Sequence, residues 1–299
     1  MKGKQSGKAK TRVVKKRPTA QPILAVDKLG AHFGKIQLTT LMATSRAFPL
    51  TSRVDLQTAL EKVFQEHYQA ELVGVHPQYS HEQLTTAHLV AKANYPPLIG
   101  PLQHDEVDIG DVVPARCLRR GLWLGRHDGL SYSILLTQEH HFARGDVGLH
   151  LEVAVPPGDE GAKFSRDFLG RVEKFVMMAG SYKGKVISLE QIDNYSGRAG
   201  VIRVHKLRSV QRDEVVLPGK TLELLDRNVG EFIRQRERLQ QLGMPVKKGL
   251  LFYGPPGTGK THTIHYLASH LKDHTSLLIT AEQVGLLSTY MQLARFLQP

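Results

Sequence analysis

Apolar residues first recur at helical spacing in Leu56, Leu60, Val63 and Phe64, which predicts a helix over 53–69. Asp55 lies near its start, where a carboxylate suits the positive end of the helix dipole. From residue 115 the period shortens toward two, and strands are predicted at 115–124, 130–137 and 148–155, with a turn at 125–129. Phe164, Phe168, Val172, Phe175 and Val176 then share one face of a helix over 165–178, an apolar stripe that must cover a sheet. Two more strands are predicted at 184–189 and 200–205. The pattern describes an α+β N-terminal domain.

A second unit begins near Asp213. An extended segment, Val215-Val216-Leu217, ends at Pro218, and 221–242 reads as a helix with Leu222, Leu225, Val229, Phe232 and Ile233 on its apolar stripe. Gly230 weakens that helix from inside, and Gly243-Met244-Pro245 stops it. A short apolar strand follows at 250–253, then a glycine-rich loop and a helix to Leu271. A further strand is predicted at 276–279, and Glu282 opens a helix whose face includes Val284, Leu287, Tyr290, Met291 and Phe296. The expected division is a tail at 1–22, the α+β domain at 23–212 and the second unit at 213–299.

Charge changes this picture only at the N-terminus. The 299 residues carry a formal charge of +12, but Lys2, Lys4, Lys8, Lys10, Arg12, Lys15, Lys16 and Arg17 precede the first acid, Asp27. Without them the chain holds 32 basic and 28 acidic residues, or +4. Such a tail is too polar to join a core and is expected to be disordered, with nonspecific attraction to nucleic acid as its available chemistry. There is no apolar run of membrane-spanning length and no signal-peptide pattern, so no membrane association is expected. The single cysteine, Cys117, cannot form an internal disulfide and reads as a buried thiol; a cytoplasmic location is expected. His140, His141 and His150 lack the ligand spacing of a zinc site. Asp105, Glu106, Asp108 and Asp111 lack the glycine and terminal glutamate of a calcium loop and read as a solvated acidic face.

The chemistry concentrates in Gly254-Pro255-Pro256-Gly257-Thr258-Gly259-Lys260-Thr261. A strand, this octet and a helix form the context in which G-x-x-x-x-G-K-T binds phosphate. Glycines at 254, 257 and 259 permit a tight wrap that turns successive backbone N–H groups toward phosphate oxygens. The helix N-terminus adds unpaired N–H groups and its positive dipole end. Lys260 is positioned to reach the β- and γ-phosphates, and the Thr261 hydroxyl to complete magnesium coordination, so ATP and Mg²⁺ are the expected ligands.

From Val216-Leu217-Pro218 through Arg236 to Leu239, Gly243-Met244-Pro245 and Lys248 to Thr261, the chain resembles the start of the AAA+ ATPase domain. The likeness is strongest to the classical AAA branch that includes valosin-containing protein and the proteasomal ATPases. It covers about 85 residues from 215 onward. It implies a P-loop NTPase fold, with Val215 to Leu217 beside adenine and Val216 a binding residue. It also implies a homo-hexameric ring that hydrolyses ATP to remodel a macromolecular substrate such as a protein. Hydrolysis in that family requires a strand ending in Asp-Glu, a polar sensor and an arginine from the neighbouring subunit. Beyond Thr261 the only acids are Asp273 and Glu282, and the order of elements assigns 276–279 to the family's second strand. The resemblance therefore implies a truncated module that binds ATP, with hydrolysis a property of the complete protein. The strands at 250–253 and 276–279 are expected to lack their usual neighbours. The alternative is a noncatalytic nucleotide-binding or regulatory protein whose N-terminal domain or basic tail engages a partner or nucleic acid.

Overall fold

The computed structural model describes residues 22–79, 84–141, 146–190, 202–271 and 274–297. The expected disordered tail falls outside this range apart from Pro22. The N-terminal elements are β1 (Ile23–Leu24), α1 (Ala25–Phe33), β2 (Met42–Pro49), α2 (Arg53–Glu66), β3 (Ala70–His76), α3 (Thr86–Val90), β4 (Leu98–Gly100), β5 (Gln103–Val107), β6 (Ala115–His127), β7 (Leu130–His141), β8 (Asp146–Val155) and α4 (Asp159–Met178). Their eight strands form one antiparallel sheet in the order β1-β4-β3-β6-β7-β8-β2, with β5 also paired to β6. The 13-residue β6 is long enough to pair β5 along Ala115 to Arg120 and β3 along Leu122 to Gly125.

Alternation along the strands sends apolar side chains to both faces. Tyr132, Ile134 and Leu136 of β7 meet Trp123, Leu149, Leu151 and Val153 on the face covered by α2 and α4. Leu135 points the other way, with Leu122, Leu124 and Val75, toward α1 and α3. The α4 stripe buries Phe164, Phe168, Leu169, Val172 and Val176, each worth about 1.5–3 kcal/mol of transfer free energy. Phe64 of α2 stacks on Trp123 with centroids 5.2 Å apart. The centre of the sheet is thus buried on both sides, which explains the long apolar runs in β6 and β7.

Several predicted elements shift. The turn expected over 125–129 contracts to Asp128-Gly129, whose φ values of 50° and 83° suit a two-residue hairpin connection. Gly125 instead sits within β6 directly beneath Tyr132, where a Cβ would lie 2.3 Å from the phenol oxygen. In the acidic face at 105–111, Glu106, Asp108 and Asp111 are exposed as expected, whereas Asp105 is half-buried and pairs with Arg53 and Arg119; Asp111 pairs with Lys185. The arginines hold the Asp105 carboxyl below the ordinary carboxylate range against the opposing effect of its burial. Cys117 is buried as expected, and burial pushes its thiol up to about 11, leaving it protonated and unreactive at neutral pH.

The remaining elements are β9 (Val186–Leu189), β10 (Ile202–Val204), α5 (Gly219–Leu225), α6 (Phe232–Arg234), α7 (Arg236–Gln241), α8 (Lys260–His270), β11 (Ser276–Leu277) and α9 (Leu287–Leu297). The continuous helix expected over 221–242 is broken. A π-helical stretch, Asp226–Glu231, contains Gly230, and Gln235 leaves helical geometry at ψ 4°. Residues 250–253 form no strand: no neighbouring strand offers them a ladder among the described residues, and Leu251 and Tyr253 are exposed. The segment after α8 does find a neighbour. β11 pairs in parallel with β9, which pairs antiparallel with β10, so one small sheet joins residues on either side of position 212. α9 covers that sheet through Tyr290, Leu293 and Leu297, whereas the predicted stripe members Val284, Leu287 and Met291 are exposed. Among the described residues no helix is long and apolar enough to cross a membrane.

Candidate phosphate-binding site

The loop from Gly254 to Thr261 wraps over the N-terminus of α8. Gly254, Gly257 and Gly259 have φ values of 152°, 79° and 83°, so all three glycines occupy backbone conformations that L side chains rarely adopt. Gly259 is the residue preceding the helix, and its carbonyl accepts from the Thr263 backbone N–H at 2.9 Å and from the Thr263 hydroxyl at 2.9 Å. A Cβ at Gly254 would lie 3.1 Å from Thr258 Oγ1, which itself donates to the Pro255 carbonyl at 2.9 Å. The sequence folds this way because only glycine relieves the left-handed positions, while Pro255 and Pro256 stiffen the approach.

An open depression of about 560 Å³ lies against the loop, lined by Gly254, Pro256, Gly257, Gly259, Lys260, Thr261 and His262. Lys260 turns its ammonium inward, donating to the carbonyls of Gly254 at 2.8 Å and Pro255 at 2.6 Å. A compact cation is thereby held at the centre of the wrap by acceptors that a phosphate oxygen can replace. Pro255 and Thr258 shape the loop without lining the depression; Thr261 lines it from the first turn of α8. Among the described residues no cluster of three or more His, Cys, Asp or Glu could hold a metal ion.

Residues 208–217 run along α8. Val210 and Val215 pack on Tyr266, and Arg212 reaches the Tyr266 hydroxyl at 3.4 Å and Asp226 at 2.7 Å. The Tyr266 hydrogen bond, and then Asp226, raise the Arg212 pKa. His262 Nε2 lies 3.2 Å from the Glu214 carbonyl. Val215 is therefore buried, whereas Val216 leaves 92% of its surface exposed and does not line the depression. Sequence reasoning missed His262, although its place directly after Thr261 on the first turn of the helix marks it as a neighbour of the loop.

Residues 250–294 match the family described as ATPase family associated with various cellular activities (AAA). This chain carries part of an AAA ATPase-family domain. The chain is 44% identical over 45 residues to AAA-ATPase At5g17730 of Arabidopsis thaliana, covering 15% of this chain and 10% of that protein. It is 35% identical over 69 residues to the probable mitochondrial chaperone bcs1 of Schizosaccharomyces pombe, covering 23% and 15%. The ATP-dependent zinc metalloprotease FtsH of Haemophilus influenzae is 26% identical over 178 residues, covering 56% of this chain and 27% of that protein. The chain thus spans a small fraction of the relatives it matches. The expected cytoplasmic location is overturned by these likenesses, because bcs1 is named as mitochondrial. A lone cysteine does not choose among reducing compartments.

Proposed function

We propose that the loop from Gly254 to Thr261 binds the phosphates of ATP, in a segment of the classical AAA type. The observation that carries this reading is the arrangement of three positive-φ glycines around the inward-turned Lys260 ammonium at a helix N-terminus. The donor set fits a polyphosphate: a cation already held in place by two backbone carbonyls, and the N–H groups of the first turn of α8. Magnesium would arrive with the phosphates, as an ion that keeps most of its waters and takes few protein ligands, with Thr261 supplying its hydroxyl. Hydrolysis, assembly into a hexameric ring and remodelling of a macromolecular substrate are assigned to the complete protein.

Titration of the 299-residue chain with Mg-ATP, beside its Lys260→Ala variant, tests the site. Loss of the charged donor should weaken binding by about 10- to 100-fold, the worth of a hydrogen bond to a charged group. Equal affinity in the two proteins would remove the loop from consideration as a working site.

A further inference from the structure

We infer that the outer edge of β2 is an interface between two copies of this chain, joined strand to strand about a two-fold axis at Ser45. β2 ends the large sheet, and among the described residues β8 is the only strand it pairs with. Met42 to Ser45 and Ala47 are exposed, so the free side of the strand is open. Pro49 decides which residues face outward. It pairs with Gly148 but has no N–H, so that pair is of the kind that exchanges no hydrogen bonds, and the two kinds alternate from there. Phe48, Arg46, Thr44 and Met42 therefore direct their backbone groups to β8, while Ala43, Ser45 and Ala47 turn theirs outward. Such an edge is a template for another strand, and β2 lacks the usual protections: no lysine, no bulge in its register with β8, and proline only at its end. Its one charge, Arg46, is drawn onto α4, where it pairs with Glu173 and donates to the Leu169 carbonyl at 3.2 Å.

The outward row is complementary to itself. Antiparallel pairing with Ser45 opposite Ser45 of the second copy sets Ala43 opposite Ala47, and every outward N–H and carbonyl of these residues finds a partner. On the side of α4, Met42 then meets Phe48 and Arg46 meets Thr44, so no like charges face each other across the axis. Gly170, on the same face of α4 as Glu173, has open space where a side chain would stand, which lets the two copies of α4 approach. The contact lies in the N-terminal sheet and needs no nucleotide, so it stands or falls apart from the phosphate-loop reading.

Sedimentation equilibrium of the 299-residue chain without nucleotide should show monomer and dimer in exchange. Ser45→Pro removes an outward N–H and no bond to β8, so it should raise the dimer Kd by about ten-fold or more with the circular dichroism spectrum unchanged. Ser45→Lys sets two ammonium groups opposite each other at the axis and should raise the Kd likewise, which keeps the test open if the proline variant fails to fold. Single cysteines read the register. Directly opposed residues of this kind have Cα atoms about 5.5 Å apart, within disulfide reach, so Ser45→Cys should oxidise to a covalent dimer. Ala43→Cys should not, because its counterpart stands about 13 Å away along the strand. The native Cys117 is buried and does not compete. A parent chain that stays monomeric at about 100 μM, where even a micromolar interface would be filled, would overturn the proposal. So would dimers that persist undiminished in a folded Ser45 variant, or crosslinking of Ala43→Cys as readily as Ser45→Cys.

Discussion

The Tyr290 hydroxyl accepts a hydrogen bond from the backbone nitrogen of Leu189, 101 residues earlier, at 2.7 Å. The same hydroxyl lies 3.1 Å from both the Leu278 carbonyl and Gln283 Oε1, and Gln283 Nε2 donates to the Leu189 carbonyl at 2.7 Å. Both backbone groups at the end of β9 are thus satisfied by side chains that follow β11. Tyr290 is fully buried, so removing its oxygen leaves the Leu189 N–H without a partner. Tyr290→Phe should destabilise the protein by about 1–3 kcal/mol. Chemical denaturation measures the loss, and hydrogen exchange at Leu189 should accelerate; an unchanged exchange rate there would contradict the role given to this bond.

Gly125 tests the packing of the large sheet. Its missing Cβ makes room for Tyr132, whose hydroxyl donates to the Gln69 carbonyl at 3.0 Å, and an added methyl would stand 2.3 Å from that oxygen and 2.5 Å from the carbonyl. Neither neighbour is a free side-chain end. Gly125→Ala should therefore cost about 3 kcal/mol or more, at the upper end of overpacking effects. Gly129→Ala meets no atom within 4 Å but has φ 83°, so its cost should be smaller, about 1–2 kcal/mol from backbone strain. Thermal denaturation of the two variants should rank them in that order.

Within the loop, Gly259→Ala also meets no atom within 4 Å, yet its φ of 83° resists a side chain. The variant should retain the fold of the large sheet, which it does not touch, and weaken Mg-ATP by about ten-fold through about 1–2 kcal/mol of loop strain. Circular dichroism paired with ATP titration checks both halves of this expectation.

The helices α2 and α4 were legible because each carries one strong period over ten or more residues, and the strands β6 to β8 because their long apolar stretches are bounded by turn residues. β1, β2, β4 and β5 were not resolved by pattern: these strands are short, or, like β2, mostly exposed, so burial imposes little alternation on them, and α1 carries its buried Ala25, Leu29 and Phe33 over only nine residues. The glycine positions of the loop were legible, since the positive φ values of Gly254, Gly257 and Gly259 answer to backbone geometry rather than to tertiary context. The strand at 250–253 failed for the opposite reason. Apolarity marks a wish for burial, but a strand exists only where another strand pairs with it. The pairing of β11 with β9 lay beyond sequence reading, because nothing in Ser276 or Leu277 specifies a partner ninety residues earlier.

Asp55 supplies a pH-dependent prediction. It is fully buried near the start of α2; Oδ1 accepts from the Ser181 backbone N–H at 3.1 Å, while Oδ2 has no hydrogen-bond partner among the described residues. Burial raises its pKa above the ordinary 3.8; the Ser181 hydrogen bonds and the Lys183 charge oppose the rise without cancelling it. A carboxyl whose folded pKa is raised binds its proton more tightly in the folded than in the unfolded protein. The stability it supports is complete below the unfolded value and is lost as pH rises through the folded one. Asp55→Asn keeps an acceptor for Ser181 and imitates the protonated form. The parent should therefore lose stability relative to Asp55→Asn as pH rises from about 4 toward neutrality, by about 1.4 kcal/mol for each unit by which the folded pKa exceeds the unfolded one. Urea unfolding of both proteins from pH 4 to pH 8 gives the difference directly. A difference that is flat across this range, or that favours the parent at high pH, would show that the Asp55 carboxylate is stabilised in the fold rather than tolerated.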